Sequence, residues 1–353
     1  MTTQNLLEKI RRLSEDNGVE FFGSAKLKSE DSYIFYEKWL SEKKHAGMRF
    51  LENNKNFRKD PSTLEPSLSN ALVFGFNYYQ GDKYAGQNSI LKPRNAQYAR
   101  FKDYHKVLKK IATNIMSQLF ALSNLEFNYR VLVDSAPILE RALAAKSGKG
   151  FIGKNTVFID PDKGSFYLLF EVITDLDVDE TSSKKVDPSI RSKDGGCGSC
   201  KRCKVHCPTG ALDEDYVLDA RKCLAYYSIE HRGAVPVEYW QYFKMYYFGC
   251  DICQLVCPYN RASNENRSIA VKVNSEIDLY EVALMDQAKY ETLFGGTPMT
   301  RAKIDGLKRN ALIYLVVTKD ERLPEVINKL RGSYKSIDDT IALIPEYEAQ
   351  LND

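Results

Sequence analysis

The stretch Cys197-Gly-Ser-Cys200-Lys-Arg-Cys203-Lys-Val-His-Cys207-Pro208 decides the fold of this chain, because its spacing is C-x2-C-x2-C-x3-C-P. Bacterial ferredoxins use this spacing to hold a [4Fe–4S] cluster, and the fourth cysteine normally ligates the other cluster of a pair. A second set follows at Cys250-Asp-Ile-Cys253-Gln-Leu-Val-Cys257-Pro258. Tyr247 stands where the first cysteine of that set would fall, so Cys223, farther upstream, must complete it.

The chain has eight cysteines, which is the number that two clusters require. We assign one cluster to Cys197, Cys200, Cys203 and Cys257, and the other to Cys207, Cys223, Cys250 and Cys253. Two zinc sites would also use eight thiolates, but zinc does not require three cysteines at steps of three followed by x3-C-P. Four disulfides would require an oxidising compartment and usually a small scaffold. The spacing therefore favours iron–sulfur clusters over both alternatives.

Length and composition indicate an ordinary soluble globular protein of two or three domains. The chain has 353 residues, of which 43% are hydrophobic and 27% charged, and its net charge is +3. No apolar stretch approaches the roughly 20 residues that a membrane span needs. Arg11 and Arg12 are not followed by an apolar region, so we expect an amphipathic helix rather than a signal or twin-arginine leader. Cluster thiolates favour a reducing cytoplasm.

Apolar periodicity predicts an N-terminal domain, residues 1–178, that alternates helices and strands and is of the α/β or α+β class. The predicted strands are 71–79, 129–133, 156–160 and 165–174, and the long helix is 104–122. A polar connection leads into the ferredoxin-like cluster module, residues 179–265. Residues 266–353 are predicted to be helical, and their helices at 306–317, 323–330 and 336–351 suggest a short HEAT-like α-solenoid.

Basic residues concentrate in the segment 92–110, which contains seven lysines and arginines against the single acid Asp103. Aromatic residues are interleaved with them, and a smaller basic group lies between Arg301 and Arg309. Such patches could bind phosphates. They could equally be solvated helix faces with extended lysine side chains.

Two motifs approach known cofactor signatures without matching them. The stretch from Gly148 to Asn155 is one residue from a phosphate-binding P-loop, but Asn155 replaces the required Ser or Thr and a helical stretch precedes it. Glycine-rich backbone that admits a large cofactor closely is the better interpretation. The stretch from Asp103 to Leu108 approaches the D-x-H-x-x-G pattern of histidine-ligated cobalamin, but Leu108 replaces the glycine. We therefore interpret His105 as a helix-face or capping residue.

Asp134 is the titratable residue with the most suggestive position. It lies where the predicted strand 129–133 meets Asp134-Ser-Ala-Pro137, a helix-start signature with proline in the first turn. Strand-to-helix junctions often carry function in α/β domains. The alternative is that Asp134 or Ser135 only caps the helix, and the residues alone favour that interpretation.

Several motifs together resemble the epoxyqueuosine reductase family. The family's VDSAPVLER stretch resembles VDSAPILER at 133–141, and its GWIGKN/H-T loop resembles GFIGKNT at 150–156. Its YA-x-G-x-DYH segment is similar to YARFKDYH at 98–105, with Phe101 in place of the glycine. Its YGCDICQ-x-VCPWN signature resembles FGCDICQLVCPYN at 248–260. The similarity extends from the first helix to about Val316.

The resemblance implies an enzyme that reduces the epoxide of epoxyqueuosine at the wobble position of tRNA, giving queuosine. It implies two [4Fe–4S] clusters and a cobalamin held base-off without a histidine ligand. Electrons from an external low-potential donor would pass through the clusters to cobalt, and the Co(I) formed would attack or reduce the epoxide. Asp134 would protonate the departing oxygen, a role that needs a positioned acid whose pKa is raised by burial. With the resemblance added, we expect this role in place of capping.

The resemblance also implies which residues contact the cofactor. The residues that match positions near the corrin are Arg58, Tyr98, Asp134, Gly153, Lys154, Asn155, Thr156, Cys250 and Asp251. Asp251 has a capping interpretation as well. Arg141 lies either near the substrate or on the solvent side of its helix. The expected partner is tRNA bearing epoxyqueuosine, with no membrane contact, and the expected state is a cytoplasmic monomer.

Three alternatives remain open. A related cobalamin/iron–sulfur reductive dehalogenase usually carries a twin-arginine leader. An electron-transfer subunit would have no substrate site of its own, and a tRNA-binding protein would use its clusters only structurally. Longer family members continue into HEAT-like repeats with an RGTAAWAL-type helix, from which this sequence diverges after Tyr334. We expect the shortened solenoid to weaken or reshape binding of the anticodon arm.

Overall fold

A computed structural model describes residues 2–28, 30–82, 94–178, 196–267, 270–273 and 277–351. Most of the predicted connection before the first cysteine, and Lys92 of the basic segment, lie outside the described residues. The strands are β1 (Glu20–Lys26), β2 (Asn70–Asn77), β3 (Arg94–Asn95), β4 (Tyr129–Leu132), β5 (Phe151–Ile152), β6 (Phe158–Ile159), β7 (Tyr167–Thr174) and β8 (Tyr246–Phe248).

The α-helices fall into three runs along the chain. The first run is α1 (Thr3–Asp16), α2 (Glu30–Ser41), α3 (Lys55–Lys59), α4 (Tyr104–Ser123) and α5 (Glu140–Lys146). The cysteine region contains α6 (Arg202–His206) and α7 (Ile252–Leu255). The last run is α8 (Leu279–Leu284), α9 (Gln287–Phe294), α10 (Lys303–Thr318), α11 (Leu323–Leu330), α12 (Lys335–Ala342) and α13 (Ile344–Gln350).

The main sheet has four strands in the order β1-β2-β7-β4, and every neighbouring pair is antiparallel. The two predicted strands with the longest apolar runs, 71–79 and 165–174, form its two central strands β2 and β7. An antiparallel sheet needs no crossover helix between neighbouring strands. The first domain is therefore α+β, and the α/β alternative is wrong for this sheet.

Helices cover both faces of the sheet. On one face, apolar side chains of α1 and α4 pack against alternate residues of β2 and β7, including Phe74 and Val172. On the other face, α5 packs against residues that alternate with those, including Val73 and Ile173. Period-two alternation puts Glu171 on the α5 side, between Leu169 and Ile173. A fully buried carboxyl therefore lies under the start of α5.

The cysteine region and the C-terminal helices share one hydrophobic core. Trp240 and Phe248 pack in the same cluster as Leu312 of α10 and Tyr347 of α13. The short parallel pair of β3 and β8 joins the N-terminal part of the chain to this region. Domain boundaries at 178/179 and 265/266 stay a prediction.

Two helix predictions differ from the structure. The predicted helix 336–351 is two helices, α12 and α13, which meet at Leu343 just before Pro345. Proline is tolerated in the first turn of a helix but not in its interior, so a second helix begins at this point. The helix predicted to begin at Pro137 begins at Glu140, because residues 134–139 form an irregular turn.

Candidate active site

Asp134 lies directly after β4 on the turn that precedes α5. Its φ is +54°, in the left-handed region that non-glycine residues seldom adopt. The residue that caps α5 is Leu139, so the capping interpretation of Asp134 is wrong. Its side chain is 56% exposed, so the structure also contradicts the expectation that this acid is buried. Asp134 is thus an accessible carboxyl held in a strained turn.

Two side chains at the start of α4 hold the carboxyl group of Asp134. The Tyr104 hydroxyl donates to Asp134 Oδ2 over 2.8 Å, and His105 Nε2 lies 3.2 Å from the same oxygen. Burial, and then the Asp134 carboxylate, raise the pKa of Tyr104 far above its ordinary value, so its hydroxyl stays a donor. The two rings stack with centroids 4.3 Å apart.

His105 also contacts Asp103, which caps α4. Asp103 Oδ1 lies 2.7 Å from His105 Nδ1 and accepts the main-chain N–H of the same residue. With a proton on Nδ1 donated to Asp103, the Nε2 atom faces Asp134 and can accept or return a proton. His105 therefore lies on a helix, in the first turn of α4, as the sequence predicts, but the capping residue is Asp103, and the His105 side chain contacts Asp134.

Two further carboxyl groups lie behind Asp134. Glu140 Oε1 accepts the main-chain N–H of Asp134 over 2.8 Å. Burial, and then the Asp134 carboxylate, raise the pKa of Glu140 to about 8. Glu171 is fully buried, neither of its carboxyl oxygens has a hydrogen-bond partner, and burial followed by the charges of Glu140 and Asp134 raises its pKa. A protonated Glu171 is the form that such an environment favours.

The loop Gly153–Thr156 connects this site to the cysteines. The main-chain N–H of Lys154 donates to Cys197 Sγ over 3.3 Å, and Asn155 Nδ2 donates to the carbonyl oxygen of Cys253 over 3.2 Å. Arg141 of α5 donates to the carbonyl oxygen of Thr156, so this arginine links the Asp134 turn to the loop. Gly153 packs closely against Asn155, since an added Cβ would lie 2.7 Å from Asn155 Oδ1. That oxygen is buried and has no hydrogen-bond partner.

The other predicted cofactor residues lie in two places. Asp251 is buried, Oδ2 accepts the N–H of Gln97 over 2.8 Å, and burial raises its pKa to about 6. Asp251 occupies the N-cap position of α7, as its capping interpretation expects, but its side chain makes no capping hydrogen bond and binds Gln97 instead. Burial raises the pKa of Tyr98, and the charges of Asp251 and Asp134 add to the rise. Arg58 instead lies over the ring of Tyr36, 5.6 Å from its centroid.

The cysteine thiols fall into two groups. Burial, and then the thiols of Cys197 and Cys257, raise the pKa of Cys203 to about 11. Burial raises the pKa of Cys257 to about 11 as well, with further contributions from Cys197 and Cys200. The thiols that raise these two pKa values all belong to the predicted first group.

The remaining four thiols make the second group. Burial, and then Cys223 and Cys207, raise the pKa of Cys253, and burial followed by Cys253 raises that of Cys250. In the described part of the chain, no three His, Cys, Asp or Glu side chains converge closely enough to hold a single metal ion. Eight free thiols, of which Cys203 and Cys257 are buried and the others partly buried, match the number of ligands that two four-iron clusters need. The assignment of a cluster to each group stays a prediction.

Several residues of this site are not recognisable from the sequence alone. Tyr104 lay inside a quoted motif, yet its hydroxyl bond to Asp134 depends on a contact 30 residues away in the chain. By sequence, Glu140 falls in the predicted helix after Pro137, and Glu171 falls in the predicted strand 165–174. A charged residue inside an otherwise apolar strand is the one feature that could have drawn attention to Glu171.

Basic residues of the predicted patches divide into internal and exposed ones. Arg100 is buried and pairs with Asp82 through two hydrogen bonds, and Arg309 is buried among carbonyl oxygens. Arg301 forms two hydrogen bonds with Glu230. The exposed lysines of the first patch are Lys102, Lys106, Lys109 and Lys110. Among the described residues, no helix combines the length and apolar character needed to cross a bilayer.

Two families of known proteins match this chain. The family described as "Epoxyqueuosine reductase QueG, DUF1730" matches residues 58–135, and the "4Fe-4S double cluster binding domain" matches residues 196–260. The second match confirms the predicted double-cluster module. The first match ends just after Asp134, so it includes the residues that hold this carboxyl group.

Similar proteins and solved structures indicate the same family as the first of these matches. Epoxyqueuosine reductase of Xanthomonas campestris pv. campestris is 32% identical over 317 residues, which are 87% of this chain and 85% of that protein. The structure of epoxyqueuosine reductase from Streptococcus thermophilus has a TM-score of 0.79 and 26% identity, and the match covers 93% of this chain and 86% of that one. A crystal structure of epoxyqueuosine reductase with an epoxyqueuosine-modified tRNA-Tyr stem loop shares the fold, with a TM-score of 0.77, 22% identity and coverage of 99% and 94%. The resemblance expected from the sequence is confirmed, and the chain belongs to the epoxyqueuosine reductase family.

Proposed function

We propose that this protein reduces the epoxide of epoxyqueuosine in tRNA to give queuosine. The observation that carries the proposal is the position of Asp134. Its accessible carboxyl group is held by Tyr104 and His105, and Arg141 of the following helix donates to the Gly153–Thr156 loop, which contacts both cysteine groups. An accessible acid next to a predicted source of electrons is what reductive opening of an epoxide requires.

The proposed reaction adds two electrons and two protons to the epoxide, forms a carbon–carbon double bond and releases the oxygen as water. We assign to Asp134 the proton that reaches this oxygen as its bond to carbon breaks. The Tyr104 hydroxyl then stabilises the carboxylate that is left, because it donates to the same oxygen atom. His105 stands ready to return a proton to that oxygen after the product leaves.

The proposed cofactors fit the residues around this site. The two cysteine groups would each hold one [4Fe–4S] cluster. A base-off cobalamin would be held by the Gly153–Thr156 loop, Tyr98 and Asp251, and the amide-rich edge of a corrin could supply the donor that the buried Asn155 Oδ1 lacks. When bound, these groups supply the electrons for the reduction. Arg58 has a different environment, and a role for it in cofactor binding is a separate proposal.

We also propose where the RNA lies. Helix α4 begins at Tyr104, beside Asp134, and the exposed Lys106, Lys109 and Lys110 follow on it and line a surface cavity with Asn17. Phosphates of the anticodon arm would bind this basic face while the modified base reaches Asp134. The relative solved with a modified tRNA stem loop supports a substrate of this kind. An external low-potential donor, a cytoplasmic location and a monomeric state complete the proposal.

The test uses anaerobically purified protein with its clusters, cobalamin and an epoxyqueuosine-containing tRNA stem loop. Mass analysis of the nucleosides should show queuosine formed by the wild type. Asp134→Asn should keep the visible spectra of the cofactors and lose about 10²- to 10⁴-fold in turnover, the usual contribution of a positioned acid.

Asp162→Asn is the matched control, because it also neutralises an exposed aspartate in a turn of the same domain. It should retain wild-type turnover. Full turnover by Asp134→Asn would remove the acid role, and unchanged epoxyqueuosine with the wild type would remove the proposed function.

A further inference from the structure

Lys154 is a buried lysine next to the first cysteine group, and the proposed reaction assigns it no chemical step. Lys154 is 5% exposed. Its Nζ donates to the carbonyl oxygen of Gly198 over 2.8 Å and lies 3.0 Å from Asp215 Oδ2. Gly198 follows Cys197 directly, so this cation is held within the loop that carries two of the four cysteines.

The main chain of Lys154 contacts the same cysteine. Its N–H donates to Cys197 Sγ over 3.3 Å, and its carbonyl oxygen accepts the N–H of Tyr216 over 3.3 Å. The residue is thus bonded on both sides to the segment that surrounds this cysteine group. Hydrogen bonds to ligand sulfur and nearby charge are the two features by which a protein raises the reduction potential of a cluster.

Lys154 belongs to a three-residue charge network. Asp215 accepts from Lys154 with one oxygen and from Lys204 with the other, over 2.7 Å for Lys204. The Lys154 ammonium group is paired with the Asp215 carboxylate, an arrangement that favours the cationic form of a lysine. The Asp215 side chain is 39% exposed, so water screens it more than it screens the buried lysine. The network presents a net positive charge to the cysteine group.

We propose that Lys154 raises the reduction potential of the cluster held by Cys197, Cys200, Cys203 and Cys257, and that Asp215 limits the rise. This inference rests on the proposed cluster assignment. Reduction adds one negative charge to the cluster, and a fixed buried cation stabilises that charge. Lys154 is therefore a tuning residue, which sets how readily this cluster accepts an electron before the loop of Asn155 and Thr156 leads on to the active site.

The experiment is an anaerobic redox titration of the full holoprotein, followed by the EPR signals of the reduced clusters. Lys154→Met should lower one of the two midpoint potentials. At a fixed potential the reduced-to-oxidised ratio of that cluster should fall about tenfold, which is about 59 mV for a one-electron couple. Asp215→Asn should shift the same midpoint in the opposite direction. A merely structural loss would not give shifts of opposite sign.

Lys149→Met is the control, because it removes the same charge five residues away, where the lysine lies near Asp160 and Asp162. It should leave both midpoints unchanged. Unchanged midpoints in both Lys154→Met and Asp215→Asn, or shifts of the same sign, would overturn the inference while leaving the cluster assignment intact.

If Lys154→Met fails to retain its iron, the Asp215→Asn midpoint decides alone, and a value at or below that of the wild type overturns the inference. A wild type without two cluster signals would instead overturn the cluster assignment, and this inference with it.

Discussion

Glu140→Gln should make the stability of this protein less sensitive to pH. The change removes a carboxyl group that lies partly buried behind Asp134. It keeps an oxygen that can accept the main-chain N–H of Asp134, because the glutamine amide has the same shape as the carboxyl group. The charge and its titration are lost, while the hydrogen bond that supports the turn is retained.

The magnitude follows from the pKa of Glu140, which rises from 4.5 to about 8 in the folded chain. Below pH 4.5 the group is protonated in both folded and unfolded chains, and its contribution to stability is fully present. As the pH rises from there to about 8, the folded chain keeps a proton that the unfolded chain releases, so the free energy of unfolding falls. Each pKa unit corresponds to about 1.36 kcal/mol, and the solvent that reaches this residue reduces the effect. The free energy of unfolding therefore falls by about 2 to 4 kcal/mol over this pH range.

The assay is the melting temperature of anaerobic holoprotein between pH 5 and pH 8.5. Wild type and Glu140→Gln should melt alike near pH 5 and diverge as the pH rises, with the variant more stable by roughly 4–8 °C at the upper end. Glu126→Gln, which neutralises an exposed glutamate before β4, should follow the wild type throughout. Parallel curves for wild type and Glu140→Gln would refute the reasoning, because they would mean that Glu140 titrates alike in folded and unfolded chains.

Three other changes have outcomes that the structure predicts. Tyr104→Phe removes the hydroxyl donor to Asp134 and should lower kcat about tenfold with KM unchanged, as measured by steady-state kinetics; an unchanged kcat would mean that this bond does not support the reaction. Arg309→Met leaves one buried and two partly buried carbonyl oxygens without this donor and should lower stability by about 3 kcal/mol, whereas a wild-type melting temperature would contradict that burial cost. Lys109→Glu with Lys110→Glu should weaken tRNA binding and reduce its slope against log salt by about 2 in filter-binding assays, and an unchanged slope would place the RNA elsewhere.

The parts of the fold that sequence predicts well are those that depend on local pattern. Strands β2 and β7 and helix α4 carry continuous or periodic apolar residues, so each is recognisable within its own length. The double-cluster module is recognisable from its cysteine spacing, while the assignment of each cysteine to a cluster stays a prediction. Neither prediction needs knowledge of how distant segments pack.

The order of the strands is different, because it depends on contacts between distant segments. Strands β1, β2, β7 and β4 alternate with helices in the chain, which is the pattern that suggests parallel crossovers, yet every neighbouring pair is antiparallel. The start of α5 was mispredicted for a related reason. Pro137 is well placed for a first helical turn, but the left-handed Asp134 and its bond to Glu140 hold the chain in a turn until that residue. At the Asp134 turn, packing contacts override the local preference of Pro137 for the first turn of a helix.

If Asp134 acts as the proposed acid, its contacts and those of Glu140 and Glu171 limit the routes by which it regains a proton. Glu140 contacts Asp134 through the main-chain N–H, so this bond cannot carry a proton to the side chain. The side-chain oxygen of Asp134 faces Tyr104, whose hydroxyl is too weak an acid to supply one, and His105, whose side chain is 39% exposed. Protons held in the core by Glu171 therefore have no hydrogen-bonded route to the reacting oxygen among the described contacts. Two routes remain, directly from solvent, because the Asp134 side chain is 56% exposed, and through the imidazole of His105, so the inner carboxyl groups are supports for the turn rather than a proton supply.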